Sequence, residues 1–389
     1  MSAALTGGEL ALLELLRRAL NGEDGFPEAI QAQETEQALS IARAHAVLPL
    51  LYPVLPQEPC AKAAEICAAQ YYHLLFLTRY YVRTLEAQGI GTLVLKGPGA
   101  AAAYPVPEYR KSGDIDLLLL DAASVSKARE IILSTGAAEE PEQHANHHIS
   151  FRTPDGIILE LHITLAEDFD DRKVNRLLLS LQEDMGEHAA VLEALPGVFL
   201  PAPDAPRQAM SLLLHMLQHF LRAGFGLKLL CDWVVFWNAP RSPGEREEYL
   251  RCAEACGVAG FSALISGVCV RYLGLDAAAL PHNADEALCI GFLREIFDAE
   301  EFGRTSAQRM VMVRGGLGGY LREFHHQMLL NFPKKGKKAL LWPFLWAATL
   351  VRFLHNNRVL RKTSLSAILR ETERRSRLTD SLHLFENVR

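Results

Sequence analysis

Hydrophobic residues recur at helical spacing through the first 89 residues of the chain. The runs GELALLELLRRAL, EAIQAQETEQALSIARAHAV and the stretch from Glu58 to Ala87 place apolar side chains three or four positions apart. This period is typical of amphipathic helices. It predicts an N-terminal helical segment over residues 1–89.

The pattern changes to short β-type runs after Gly89. TLVLKG and DIDLLLL read as buried strands, and HHISFRTPDGIILELHITL contains two alternating runs around the turn sequence Thr-Pro-Asp-Gly, which predicts a hairpin. Between them, SVSKAREIILSTG predicts a helix with a serine near its start and a glycine just past its end. A small mixed sheet with flanking helices is therefore expected over residues 90–202.

Helical spacing returns at about Pro203 and continues to the end of the chain. It runs through APRQAMSLLLHMLQHFLRA, GLKLLCDWVVFW and REEYLRCAEACG, with proline and glycine at the joints. This predicts a C-terminal all-helical domain over residues 203–332 and a basic helical tail over residues 333–389. The expected fold class is α+β, with the small sheet as the core between two helical regions.

Composition supports a folded intracellular protein. Apolar residues make up 49% and charged residues 22% of the 389 residues, which is ordinary for a chain that folds into about two domains. The seven cysteines are scattered without a C-x-x-C pair, which favours reduced, packed thiols in a cytosol over a zinc site. The N-terminus has no basic region before its apolar run, so a cytoplasmic location without a signal peptide is expected.

Charge is distributed unevenly along the chain. From Gly303 onward there are 17 Lys and Arg against 5 Asp and Glu, a net charge of +12, whereas the net charge of the whole chain is −6. Within this region, residues 334–362 place lysines, then an apolar run with two tryptophans, then arginines. The order fits peripheral contact with an anionic membrane surface, although docking of an apolar helix face on the protein body is the favoured alternative. The overall acidity and the lack of interleaved aromatic residues argue against nucleic acid as a partner.

The strongest candidate chemistry lies in acidic residues on strands. Asp114 and Asp116 are two positions apart on a predicted strand, so both side chains point to the same face. In the second half of the hairpin, Glu160 shares a face with Ile158 and His162. If the two strands are neighbours, three carboxylates meet at one cleft, and hard oxygen ligands of this kind suit Mg²⁺.

A glycine-containing turn precedes these acids. Lys96, Gly97 and Gly99 lie between a predicted strand and a helix, where backbone amides and the positive end of a helix favour phosphate. Together with Arg110, Lys96 adds positive charge. The combination is suited to holding the triphosphate of a nucleotide against metal ions.

The run LKGPGAAAAYPVPEYRKSGDIDLLLL, followed about 40 residues later by LELHITL, resembles the uncharacterised nucleotidyltransferase family of the polymerase-β superfamily. The resemblance implies that Asp114, Asp116 and Glu160 bind Mg²⁺ or Mn²⁺ and act in catalysis. It further implies that Gly97 contacts phosphate and that Lys96 and Arg110 line the site. Most relatives have Gly-Ser at the turn, whereas this chain has Gly97 followed by proline, so phosphate contact there relies on backbone amides and Lys96.

Several histidines are open to two interpretations. His215 and His219 share one face of a predicted helix, as do Lys228 and Asp232 in the next, and pairing at the domain junction is favoured over a role in the site. His144, His147 and His148 precede the hairpin and are expected to be exposed loop residues rather than part of the cleft. His162 points the same way as Glu160. It is therefore expected either to contact a carboxylate or a phosphate of the nucleotide, or to lie outside the metal ligands and contact only them.

These features predict a metal-dependent nucleotidyltransferase. It would transfer a nucleoside monophosphate from a nucleoside triphosphate to a hydroxyl or phosphate of an acceptor and release pyrophosphate. The acceptor, a small molecule or a peptide, is not specified by the sequence. The alternative is a catalytically silent regulatory protein that binds a nucleotide or phosphosugar in the same cleft.

Overall fold

In a computed structural model, residues 4–140, 147–169, 172–222, 224–301 and 338–359 are described, together with residues 324, 325, 328, 332 and 384. The fold within this part is α+β, as predicted. A five-stranded mixed sheet lies between N-terminal and C-terminal helices, and a separate two-stranded hairpin adjoins it.

The main sheet contains all the strands that the sequence predicted. Its strands are β1 (Thr92–Val94), β2 (Asp114–Leu119), β3 (Ala138–Glu139), β4 (His148–Arg152) and β5 (Ile158–His162), in the spatial order β1-β2-β5-β4-β3. The strands β2 and β5 are parallel, and the other neighbouring pairs are antiparallel. The parallel pair requires a crossover, which helix α5 (Val125–Ser134) and the strands β3 and β4 provide.

The two faces of the sheet have different partners because side chains alternate along each strand. Ile115, Leu117 and Leu159 belong to a core shared with helix α5 and the long helix α3 (Cys60–Glu86). On the opposite face, Leu118 joins the core formed with the helices that precede and follow the sheet. The polar residues of β2 and β5 therefore lie on the face that is turned toward the helical body.

The helices before the sheet were predicted from their periodicity, and the structure confirms them. The first two are α1 (Gly7–Leu20), whose Thr6 and Glu9 form a capping box, and α2 (Ala32–Ala44). In α1, Leu12, Leu15 and Leu16 are fully buried against residues of the C-terminal helices. The N-terminal and C-terminal helical regions therefore share one hydrophobic core, and the boundaries proposed between them stay predictions.

Helices also follow the sheet, but a hairpin that the sequence pattern had not revealed comes first. Two shorter helices, α4 (Pro98–Ala101) and α6 (Arg172–Glu183), lie within the sheet region. The strands β6 (Ala189–Leu195) and β7 (Val198–Pro203) follow α6 and pair antiparallel. Tyr71 of α3 donates a hydrogen bond to the Ala194 carbonyl at 3.0 Å, which fixes this hairpin against the sheet region. The predicted C-terminal helices are α7 (Ala205–Arg222), α8 (Leu227–Asn238), α9 (Pro243–Ala255), α10 (Ala259–Tyr272) and α11 (Glu286–Ala299).

The described part of the basic tail contains helix α12 (Trp342–Val359). Leu345 and Thr349 on this helix are buried, whereas Phe344 and Val351 are 76% and 66% exposed. One face is therefore packed and another presents apolar side chains. Among the described helices, none is both long enough and apolar enough to cross a membrane.

Candidate active site

Two acidic residues meet because their strands are direct neighbours. Asp116 of β2 is in register with Glu160 of β5, and Asp114 is in register with Ile158. The predicted adjacency of these strands is thereby confirmed. Because side chains alternate, Asp114, Asp116 and Glu160 project from one face of the sheet, away from the core that contains Ile115.

Asp116 is the buried centre of the cluster, with 1% of its side chain exposed. Its Oδ1 accepts hydrogen bonds from Lys96 Nζ at 2.8 Å and from His162 Nε2 at 2.9 Å. Burial opposes ionisation, but Lys96 and His162 hold the pKa of Asp116 well below its usual range. Its Oδ2 is buried and has no hydrogen-bond partner among the described residues. A carboxylate with one such oxygen is suited to bind a cation.

Glu160 lies at the more open side of the cluster, with 23% of its side chain exposed. Its Oε2 is 3.4 Å from His162 Nε2. Ligand atoms of Asp116, Glu160 and His162 all lie within 4.8 Å of one another, a spacing that one metal ion can bridge. His162 is 3% exposed, and although burial lowers its pKa, the hydrogen bonds to Asp116 and Glu160 raise that pKa overall.

Asp114 stands slightly apart from this group. Among the described residues, it belongs to neither of the clusters whose ligand atoms are close enough to hold a metal. Burial and repulsion by Asp116 raise the pKa of Asp114 to about 6, and Lys96 partly offsets this. The structure thus brings Asp116 and Glu160 together with His162, and the predicted role of Asp114 as a metal ligand stays a prediction.

His147 and His148 are not exposed loop residues, and that expectation was wrong. His148 begins β4, is 8% exposed and is in register with His162, while His147 is half-buried beside it. His148 Nε2 is 3.7 Å from Glu160 Oε1. Counting backward from the Thr-Pro-Asp-Gly turn would have revealed this, because a tight hairpin fixes its register. His144 lies outside the described residues.

The turn that carries Lys96 is anchored to both the sheet and helix α7. The Leu95 amide donates to the Asp116 carbonyl at 3.1 Å, and Gln208 Nε2 of α7 donates to the Leu95 carbonyl at 2.7 Å. Burial lowers the pKa of Lys96, but attraction to Asp116 and Asp114 raises it above its ordinary value. Lys96 therefore remains a fixed positive charge at the carboxylates.

Gly97 and Gly99 have different roles in the backbone of this turn. Gly97 has a φ of 62° and a ψ of −124°, a conformation open to glycine and costly for other residues. The Gly99 amide donates to the Lys96 carbonyl at 3.2 Å, so in this conformation it is engaged within the turn. Their predicted contact with phosphate stays a prediction.

Replacing Gly97 by alanine is expected to destabilise the protein by about 1–3 kcal/mol, the usual cost of a residue held in such a backbone region. A Cβ there would also lie 3.3 Å from the Asp114 carbonyl oxygen. Urea unfolding of the variant and the wild type measures the change. Gly113→Ala is the control, because a Cβ on Gly113 meets no atom within 4 Å. Equal losses in both variants would contradict the prediction.

Arg110 is placed deeper than the sequence suggested. Its Nε and Nη2 donate to the two carboxylate oxygens of Asp232 in α8 at 2.9 Å and 2.7 Å, and Tyr104 donates to the same carboxylate at 2.7 Å. Arg110 and Asp232 are 5% and 2% exposed. Asp232 therefore pairs α8 with the segment before β2, in agreement with the favoured interpretation of a pairing residue, and the domain junction at this place stays a prediction. The guanidinium is engaged with Asp232, and its predicted contact with a nucleotide stays a prediction.

Helix α7 presents two histidines beside the cluster. The rings of His215 and His219 are 4.4 Å apart between centroids. Burial, reinforced by the positive charge of Lys96, lowers the pKa of His215 well below its usual range and that of His219 to about 4. Both imidazoles are therefore neutral near pH 7. Lys228, on the next helix α8, forms an ion pair with Glu301, with its Nζ 3.6 Å from Glu301 Oε1.

The sheet and the cluster of Lys96, Asp116, Glu160 and His162 lie in a part of the chain that matches a known family. A family model described as an uncharacterised nucleotidyltransferase matches residues 31–274. This match covers more than half of the chain, and the protein belongs to that family. None of the curated proteins compared with the chain gives a significant match. The matched range contains β1 to β7, the Lys96 turn, and helices α7 to α10.

Proposed function

We propose that this protein uses Mg²⁺ or Mn²⁺ to transfer a nucleoside monophosphate from a nucleoside triphosphate to a hydroxyl or phosphate of an acceptor. The observation that carries the proposal is the pairing of Asp116 with Glu160 on adjacent parallel strands, with a buried Asp116 oxygen that lacks a hydrogen-bond partner among the described residues. Carboxylate oxygens are the ligands that Mg²⁺ and Mn²⁺ prefer. The donor set therefore fits either of the two cations in this proposal.

Asp116 and Glu160 would hold the cation, with Asp114 as a further ligand from the start of β2. When bound, such a cation neutralises charge on the phosphates and stabilises the leaving pyrophosphate. Lys96 lies at the same carboxylate and would add positive charge beside the phosphates. The hydrogen bond from Gln208 to the carbonyl of the preceding residue holds the Lys96 turn in place. A charge that is already in position requires no reorganisation energy during the reaction.

The reaction would proceed by attack of an acceptor oxygen on the α-phosphorus. The new bond forms between these atoms, the bond from the α-phosphorus to the bridging oxygen breaks, and pyrophosphate leaves. Glu160 is more exposed than Asp116, 23% against 1%, so it is the carboxylate that an acceptor hydroxyl can approach. We assign to Glu160 the removal of the proton from that hydroxyl.

Two labels on the nucleotide test the reaction without knowledge of the acceptor. The full-length protein is incubated with a cell extract and triphosphates labelled at the α or γ phosphate, with Mg²⁺, with Mn²⁺, or with EDTA. We expect the α label in an acceptor, the γ label in pyrophosphate, and neither product with EDTA. Nucleotide binding without either product would instead support the silent regulatory alternative. Transfer of the γ label to an acceptor would contradict the proposal.

The exposed apolar side chains of the tail support a second, peripheral contact with an anionic membrane surface. Leu340 and Phe344 are 93% and 76% exposed, and the sequence before them contains four lysines within residues 334–338. Apolar residues beside basic ones bind at the level of lipid headgroups. Vesicles that contain phosphatidylserine are expected to retain the wild type and to lose a variant with Leu340→Ser and Phe344→Ser. Equal binding of both proteins would contradict this contact.

A further inference from the structure

Three imidazole rings form a compact group at the edge of the carboxylate cluster. The ring centroids of His147 and His148 are 4.4 Å apart, and each lies 5.3–5.5 Å from that of His162. One ring nitrogen from each residue lies within 4.8 Å of those of the other two. The arrangement follows from the hairpin, because the β4–β5 register places His148 opposite His162.

Each of these imidazoles turns one nitrogen toward a carboxylate. His147 Nδ1 is 3.4 Å from Glu167 Oε1, His148 Nε2 is 3.7 Å from Glu160 Oε1, and His162 Nε2 is 2.9 Å from Asp116 Oδ1. Histidines that bind metals usually present their second nitrogen to such an acceptor, which orients the ring. The contact of His162 is a hydrogen bond, and the carboxylates near His147 and His148 lie within ion-pair distance, so each imidazole has a carboxylate that can serve as its outer partner.

Two of the remaining ring nitrogens form a hydrogen bond with each other, which a bound metal ion would replace. His147 Nε2 and His148 Nδ1 are 3.0 Å apart, close to the separation of about 3.3 Å expected for two nitrogens bound to one tetrahedral ion with bonds of about 2.0–2.1 Å. His162 Nδ1 is buried and has no hydrogen-bond partner among the described residues. Three imidazole ligands suit Zn²⁺ and similar transition-metal ions, whereas Mg²⁺ prefers oxygen.

We propose that His147, His148 and His162 together bind one transition-metal ion of the Zn²⁺ type, next to the hard cation site at Asp116 and Glu160. Three protein ligands leave a fourth position of a tetrahedral ion open to water or to an acceptor group. The ion would also tie the start of β4 to the end of β5. The proposal does not depend on the transferase reaction, because metal binding is measured without nucleotide or acceptor.

Metal titration of the full-length protein tests this site. The protein is stripped with a chelator, dialysed, and titrated with Zn²⁺ by calorimetry and with Co²⁺ by visible absorption, which is intense for tetrahedral Co²⁺. We expect one tightly bound ion per chain. His147→Gln or His148→Gln should weaken binding by at least about 100-fold, and Glu167→Gln by about 10–100-fold, the usual cost of losing an outer partner. His188→Gln, at a side chain that is 48% exposed, is the control and should bind normally.

The variants also separate this site from the carboxylate site. Asp116→Asn should lose nucleotidyl transfer and, because Asp116 is the outer partner of His162, should bind the ion about 10–100-fold more weakly. At saturating Co²⁺ it should keep the tetrahedral spectrum, because none of the three imidazoles is removed. Loss of that spectrum in Asp116→Asn together with its retention in His147→Gln would place the ion at the carboxylates and overturn the proposal. Equal affinity in the wild type and the folded His148→Gln protein would overturn it as well. Circular dichroism shows whether each variant is folded. The affinity of Glu167→Gln tests the site in a protein that keeps all three imidazoles.

Discussion

Asp116→Asn is expected to reduce nucleotidyl transfer by at least about 100-fold, because bound cations contribute several kcal/mol of charge stabilisation in reactions of this class. Asp116 is the buried carboxylate that Lys96 and His162 both contact. Asparagine keeps its shape but removes the charge that a cation requires. The release of labelled pyrophosphate from a γ-labelled triphosphate measures the rate.

The matched control for this change is Asp155→Asn. Asp155 is an exposed aspartate in the turn between β4 and β5, so it belongs to the same hairpin but lies away from the cluster. Its variant should release pyrophosphate at the wild-type rate. An Asp116→Asn protein that is folded and retains most of its activity would refute the proposed site.

Asp232→Asn is expected to lower the free energy of unfolding by about 3–5 kcal/mol, the usual cost of removing one partner from a buried ion pair. Arg110 would keep its charge with 5% of its side chain exposed, and Tyr104 would lose its charged acceptor. Because Arg110 precedes β2 and Asp232 lies on α8, the loss weakens the attachment of the sheet to the C-terminal helices. The shift in the midpoint of urea unfolding measures this loss of stability.

Two further variants test the physical reason for this loss. Glu139→Gln removes the partly exposed ion pair between Glu139 and Arg129, whose side chains are 21% and 44% exposed, and should cost less than about 1 kcal/mol. Replacing Arg110 by methionine and Asp232 by leucine together should recover much of the stability, since no unpaired charge remains. Equal losses at Asp232 and Glu139 would show that burial of the pair does not determine its strength.

Local patterns predicted most of the fold because they reflect burial directly. The alternation in DIDLLLL and in the β4–β5 hairpin placed acids and aliphatic residues on opposite faces, and the structure shows them there. The missed hairpin of β6 and β7 has a different cause. Its outer side chains Val191 and Phe199 are 74% and 54% exposed, so the sequence shows no clear alternation of polar and apolar residues.

The candidate site was predictable in part for the same reason. Which residues share a face follows from spacing, but the partner of each side chain depends on contacts between distant segments. Arg110 appeared available for phosphate because nothing near it in sequence indicates that Asp232, more than a hundred residues away, accepts its hydrogen bonds. His147 and His148, at the start of β4, were misjudged because the register of the hairpin, rather than their polarity, determines their burial.

The burial of α1 has a consequence for any shortened form of the protein. The family match begins at residue 31, yet Leu12, Leu15 and Leu16 of α1 fill positions among the helices that follow the sheet. A fragment cut to the matched residues would expose the apolar side chains that now pack on α1, at a cost of about 25 cal/mol for each Å² of apolar surface returned to water. That exposed surface would favour aggregation. The hydrophobic core of this fold therefore includes residues that lie before the range matched by the family model.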